Sequence, residues 1–76
     1  MNKARRKQLQ EIADQIAELR EKLEDLKTEE EEYRDNMPEN MQGSERYEKA
    51  DEAVDSLDDA LNSMEEAVSS IETAIE

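Results

Sequence analysis

With 76 residues, 34% of them apolar and neither Phe nor Trp, the chain is one domain at most. A domain this small buries only about 60% of its unfolded surface, which argues against a deep pocket and against a small-molecule enzyme. A formal net charge of −13 predicts repulsion from nucleic acid and anionic lipid, while the lack of Cys and His removes disulfides, the usual zinc and di-iron ligands, and the base that would activate a serine.

The first residues carry Lys3, Arg5, Arg6 and Lys7. They are basic like the start of a signal peptide, but Gln8, Gln10, Glu11 and Asp14 interrupt any apolar stretch behind them. No run approaches the ~20 apolar residues of a membrane span, so a cytoplasmic protein without membrane contact is expected. With no aromatic residue among them, these four charges are better used to offset the acidic end of a helix packed beside them than to touch nucleic acid.

A first helix is predicted over residues 2–36, a stretch free of Gly and Pro and rich in Leu, Glu, Lys, Arg, Gln and Ala, the strongest helix formers. At 1.5 Å per residue it is roughly 50 Å long. Its apolar seam reads Leu9, Ile12, Ile16, Leu19, Leu23, Leu26, Glu30, Tyr33, alternating steps of three and four, the spacing that keeps one narrow stripe facing a partner helix. Glu30 stands at an a position. It serves either as a polar residue that fixes register, with room left by Ala50, or as a buried acid with a shifted pKa; the first is the commoner use of an isolated polar a residue.

The turn is predicted over 37–44. Pro38 disfavours helical angles at Met37, Gly43 is free to take a positive φ, and Ser44 is the expected N-cap of the second helix. This tip gathers Tyr33, Arg34, Asn36, Asn40, Gln42, Arg46 and Tyr47. They are read either as a structured loop, its amides capping the helices and its tyrosines closing the seam, or as a recognition tip on a rigid scaffold.

A second helix is predicted over 45–75, with the seam Tyr47, Ala50, Val54, Leu57, Leu61, Met64, Val68, Ile71, Ile75. Folding the chain back pairs the layers: Tyr33 with Tyr47, Leu26 with Val54, Leu19 with Leu61, Ile12 with Val68. The whole chain, 1–76, is thus expected to be a single all-α domain, an antiparallel two-helix coiled-coil hairpin. Low mean hydropathy, −1.18, suggests disorder on composition alone, but a disordered chain has no reason to keep this periodicity. The e positions support the antiparallel direction. Helix one has Arg6, Arg20, Lys27 and Arg34 there, and helix two has Asp51, Asp58, Glu65 and Glu72, so opposite charges meet.

Helix two repeats every seven residues, with Ala53, Ala60, Ala67 and Ala74 at g and Ser56, Ser63 and Ser70 at c. Alanine at g widens the apolar stripe beyond what one neighbour covers. At the open end Leu9, Ile12, Ala13 and Ile16 stand against Val68, Ile71 and Ile75. These residues and the four g alanines are read as a self-association surface, through which two hairpins form a homodimeric four-helix bundle.

The acids Asp51, Glu52, Asp58, Asp59, Glu65, Glu66 and Glu72 form a stripe on helix two. One use is a solvated face whose e residues pair with Lys and Arg. The other is phosphate mimicry, in which the stripe enters the nucleic-acid cleft of a target protein, its charges spaced more sparsely than the 3.4 Å of a strand. Asp55-Ser-Leu-Asp-Asp59 lacks the turn glycine of a calcium loop and sits in helical periodicity. No metal, cofactor, small-molecule substrate or direct nucleic-acid partner is expected.

Residues 36–48, Asn-Met-Pro-Glu-Asn-Met-Gln-Gly-Ser-Glu-Arg-Tyr-Glu, followed by acidic Ala/Leu/Ser heptads, resemble small uncharacterised acidic helical-hairpin proteins of phages and mobile elements of Gram-positive bacteria. The resemblance implies an accessory, host-interacting role and supplies no catalytic residue. The reading is therefore of a non-enzymatic acidic module that self-associates and occupies an unidentified protein partner, with inhibition of a host nucleic-acid-binding or defence protein by charge mimicry as its sharpest form. The alternative is a structural or assembly component whose role is coiled-coil self-association.

Overall fold

The computed structural model describes residues 1–76. It is all-helical: α1 spans Lys3–Asp35, a single 3₁₀ turn spans Glu39–Met41, and α2 spans Glu45–Ile75. The α1 N-terminus is capped by Asn2, whose Oδ1 accepts from the Arg5 N–H at 2.7 Å. That of α2 is capped by Ser44, whose Oγ accepts from the Tyr47 N–H at 3.3 Å and donates to the Met41 carbonyl at 2.6 Å. Both occupy an amide that no helical carbonyl reaches.

The connection is built from short backbone bonds. The Asn36 and Met37 N–H groups donate back to Glu32 and Arg34, and the Met41 N–H donates to the Pro38 carbonyl at 2.8 Å. Met37 tucks under the tip, 8% exposed. Gly43 does not take the positive φ available to it; the 3₁₀ turn and the extended Pro38 reverse the chain without one. The side chains of Asn40 and Gln42 cap neither helix, because Ser44 already fills that role at α2 and the Asn36 backbone N–H closes α1.

The molecule is a rod of 60 × 15 × 13 Å. Its radius of gyration, 17.4 Å, exceeds the about 11 Å of a compact chain of this length. Only Ala13, Met37, Ala50, Val54 and Leu61 are buried.

The helices meet on a face of α1 other than the expected one. Its shielded row runs Leu9, Ala13, Ile16, Arg20, Leu23, Lys27, Glu30, Arg34, which is a and e rather than a and d. Ile12, Leu19, Leu26 and Tyr33, expected within the seam, are 46–57% exposed. The cause lies in the e row. Ala13 lets the backbones approach closely. Arg20, Lys27 and Arg34 lay their aliphatic stems across α2 and extend their charged ends to its acids. Arg34 Nη1 reaches Asp51 at 2.8 Å, Lys27 Nζ reaches Asp58 at 2.9 Å, and Arg20 Nη2 reaches Glu65 at 3.3 Å. Residue numbers fall along α1 as they rise along α2. Arg20 Nε also donates to the Leu61 carbonyl at 3.2 Å, so this side chain spans the seam.

Candidate interaction surfaces

On a helix the e and d positions flank a on opposite sides. The e rows of α1 and α2 meet and close one flank of the rod. The d row of α1 and the d and g rows of α2 therefore share the other flank. Three surfaces result: a closed ionic flank, an open apolar flank, and the turn tip.

The ionic flank consumes part of the acid stripe. Asp51, Asp58 and Glu65 bind Arg34, Lys27 and Arg20, and Lys27 is also held by Glu31 at 3.4 Å. Glu52, Asp59, Glu66 and Glu72 are exposed and make no ion pair. The stripe is thus two rows: the e row is spent inside the hairpin except at its last member, Glu72, and the row Glu52, Asp59, Glu66 faces solvent. The hydrogen bond to Asp58 raises the Lys27 ammonium above its ordinary 10.5, against a smaller opposing effect of burial and with further help from Glu31. Asp35, then Asp51, raise Arg34 in the same direction, again against burial.

A lysine raised on folding contributes stability that is complete below its unfolded value and lost as pH climbs through its folded one. The thermal midpoint is therefore expected to fall as pH rises past about 10.5. Lys27→Met, which keeps the stem and removes the charge, is expected to make that alkaline decline shallower. Circular dichroism melts of the two proteins across the alkaline range measure it, and identical declines would refute the role given to Lys27.

The apolar flank carries Ile12, Leu19, Leu26 and Tyr33 from α1 and the half-buried Leu57, Met64 and Ile71 from α2. Of the residues read as a self-association surface, Ile12 is open on this flank. Ala53, Ala60, Ala67 and Ile71 line it half-buried, and Ala74 is exposed. Leu9, Ile16, Val68 and Ile75 are half-buried nearer the seam. Ala13 is 1% exposed and has no surface left to offer, because α2 lies directly over it. Leu19, Leu26 and Tyr33 belong to the open flank although the heptad pattern assigns them to the seam. The signal for this was the basic e row of α1 facing the acidic e row of α2.

At the tip, Tyr33 and Arg46 border two adjoining open notches. One also involves Glu30, Glu45, Lys49 and Ala50, the other Asn36, Met37, Pro38 and Met41. Lys49 pairs with Glu45 at 3.2 Å, whereas Arg46 makes no ion pair. Arg34 is turned to the ionic flank, Tyr47 is half-buried, and Asn36, Asn40 and Gln42 are exposed. The tip residues therefore divide among different surfaces rather than converging on one.

No three acidic side chains converge as a metal-holding group. The concavities along the rod are open grooves. No helix is long and apolar enough to cross a membrane. Comparison with protein-family models, with curated proteins and with solved structures finds no match to this chain.

Proposed function

We propose that this protein is a non-enzymatic acidic binding module: an antiparallel coiled-coil hairpin that pairs with a second copy into a four-helix bundle and acts by occupying a protein partner. The observation that carries this reading is the row Ile12, Leu19, Leu26, Tyr33, about half exposed on a rod that offers only open grooves. Fully burying such a side chain is worth about 1.5–3 kcal/mol, and a monomer leaves much of that unrealised. The solvent-facing acids Glu52 and Glu66, two heptads or about 21 Å apart, remain available to a basic protein surface after dimerisation. With the likeness of the turn to proteins of phages and mobile elements, they support inhibition of a host nucleic-acid-binding or defence protein as the specific form of this function. The second reading, an assembly component whose role is self-association, draws on the same apolar row.

Sedimentation equilibrium at tens of micromolar tests the shared premise; a dimer is expected, and a stable monomer would refute it. Glu52→Gln/Glu66→Gln then separates the two roles. These acids hold no hairpin ion pair, so the dimer should persist. If mimicry operates, capture of a nucleic-acid-binding protein from the host should be lost in this variant and should weaken steeply with salt in the native protein. Capture indifferent to both would leave assembly as the function.

A further inference from the structure

Resting on the self-association just proposed, we infer that the second copy seats on the flank bearing Leu19 and Leu26 with both turns at the same end, its α1 lying against the first copy's α2. The surface area identifies a copy-sized occupant. The chain exposes 5799 Å², whereas a compact globule of 8.8 kDa exposes about 4,800 Å². The excess of roughly 1,000 Å² is close to the about 800 Å² that each partner contributes to a stable interface. Two half-open rods that cover one another remove it without a third component.

Charge selects the orientation. A two-fold axis on this flank runs either across the rod, placing the turns at opposite ends, or along it, placing them together. The first lays α2 on α2. Residues 44–76 hold eleven acids against Arg46 and Lys49, so that pairing sets the most acidic half of the chain against itself. It also brings Lys22, near the middle of the rod and on the rim of the apolar flank, close to its own copy. The second arrangement alternates α1 and α2 around the bundle.

Two cations without an ion pair stand on the rim, Lys22 on α1 and Arg46 on α2, and both then meet acids. Lys27 pairs with Asp58 and Arg20 reaches the Leu61 carbonyl, so the level of Lys22 on α2 falls between these two, beside Asp59. In the same-end dimer Lys22 approaches Asp59 of the second copy, and Arg46 approaches its Glu32. None of these four side chains has an ion-pair partner within the hairpin.

The chain has no cysteine, so a nitroxide attached at Gln42→Cys, exposed on the turn, reports one position per copy. Double electron–electron resonance is measured on the labelled full-length protein at a concentration where sedimentation shows the dimer. The expected separation is about 20–30 Å, set by helices packed 8–10 Å apart and by the label arms. A separation near the rod length of 60 Å would overturn the same-end arrangement while leaving the dimer intact. A monomer by sedimentation with no dipolar signal would overturn the self-association beneath it.

Discussion

Leu61→Ala will remove most of the hairpin's stability. Leu61 is 3% exposed and is, with Val54 and Met37, one of three large side chains that this small protein buries. Truncating a buried leucine costs about 2–5 kcal/mol, because the cavity left behind collapses only in part. Natural domains hold about 5–15 kcal/mol in total, and a two-helix rod sits low in that range. The loss is local as well as volumetric. Arg20 lies over this residue and donates to its carbonyl, so a collapsing Leu61 site loosens the stem that covers it. The thermal midpoint should fall by more than about 10 °C at about 4–8 °C per kcal/mol. Leu26→Ala, at a position 57% exposed, is the control. Melts followed by circular dichroism at low protein concentration compare the two, and equal losses would mean that α2 does not bury Leu61 as described.

Leu19→Gln/Leu26→Gln will have the opposite profile, leaving the hairpin folded and dissolving the self-association proposed above. Glutamine keeps helix propensity, and neither leucine is shielded by α2. Each copy loses two apolar side chains, so the dimer loses four. At about 1 kcal/mol for the still-exposed half of each, the sum is about 4 kcal/mol, or about three decades in Kd. Sedimentation should show a monomer at concentrations where the proposed dimer of the native protein forms, with helical content unchanged at low concentration. A variant that still dimerises with native affinity would place the interface elsewhere on the rod. Together the two experiments separate the residues that make one hairpin from those proposed to join two.

The pair Leu19 and Arg20 shows what the amino-acid order encodes and what it does not. Two helices, a break at Pro38 and a cap at Ser44 follow from local rules: unbroken 3/4 periodicity, a proline that restricts its predecessor, and a hydroxyl placed before a free amide. Which neighbour of the a row turns inward is not a local matter. Hydrophobicity favours Leu19. The structure favours Arg20, because its stem covers the seam while its guanidinium reaches both the Leu61 carbonyl and Glu65. That preference exists only once α2 lies opposite, so a heptad assignment on α1 alone misses it.

The acid stripe divides for the same reason. Asp58 and Asp59 are adjacent and chemically identical, yet one is bound to Lys27 and the other faces solvent. Spacing shows that both lie along one helix, but only the partner helix distinguishes them. At the tip, the backbone bonds around Pro38 and Met41 close the loop, so the conspicuous amides of Asn40 and Gln42 carry no structural duty that their composition suggested.

The order of the cross-helix ion pairs has a consequence for how the chain folds. Arg34 and Asp51 are 17 residues apart, Lys27 and Asp58 are 31 apart, and Arg20 and Glu65 are 45 apart. Each pair, once made, shortens the free loop that the next must close, so the entropic cost of closure is met in small increments instead of all at once. The hairpin behaves as a zipper whose slider rests at Pro38, closing outward from the turn and opening inward from the ends. Ile12 and Ile71, near the open ends and far from the slider, are also among those that a second copy would clasp. The proposed self-association would therefore act as a catch on the end of the zipper that opens first.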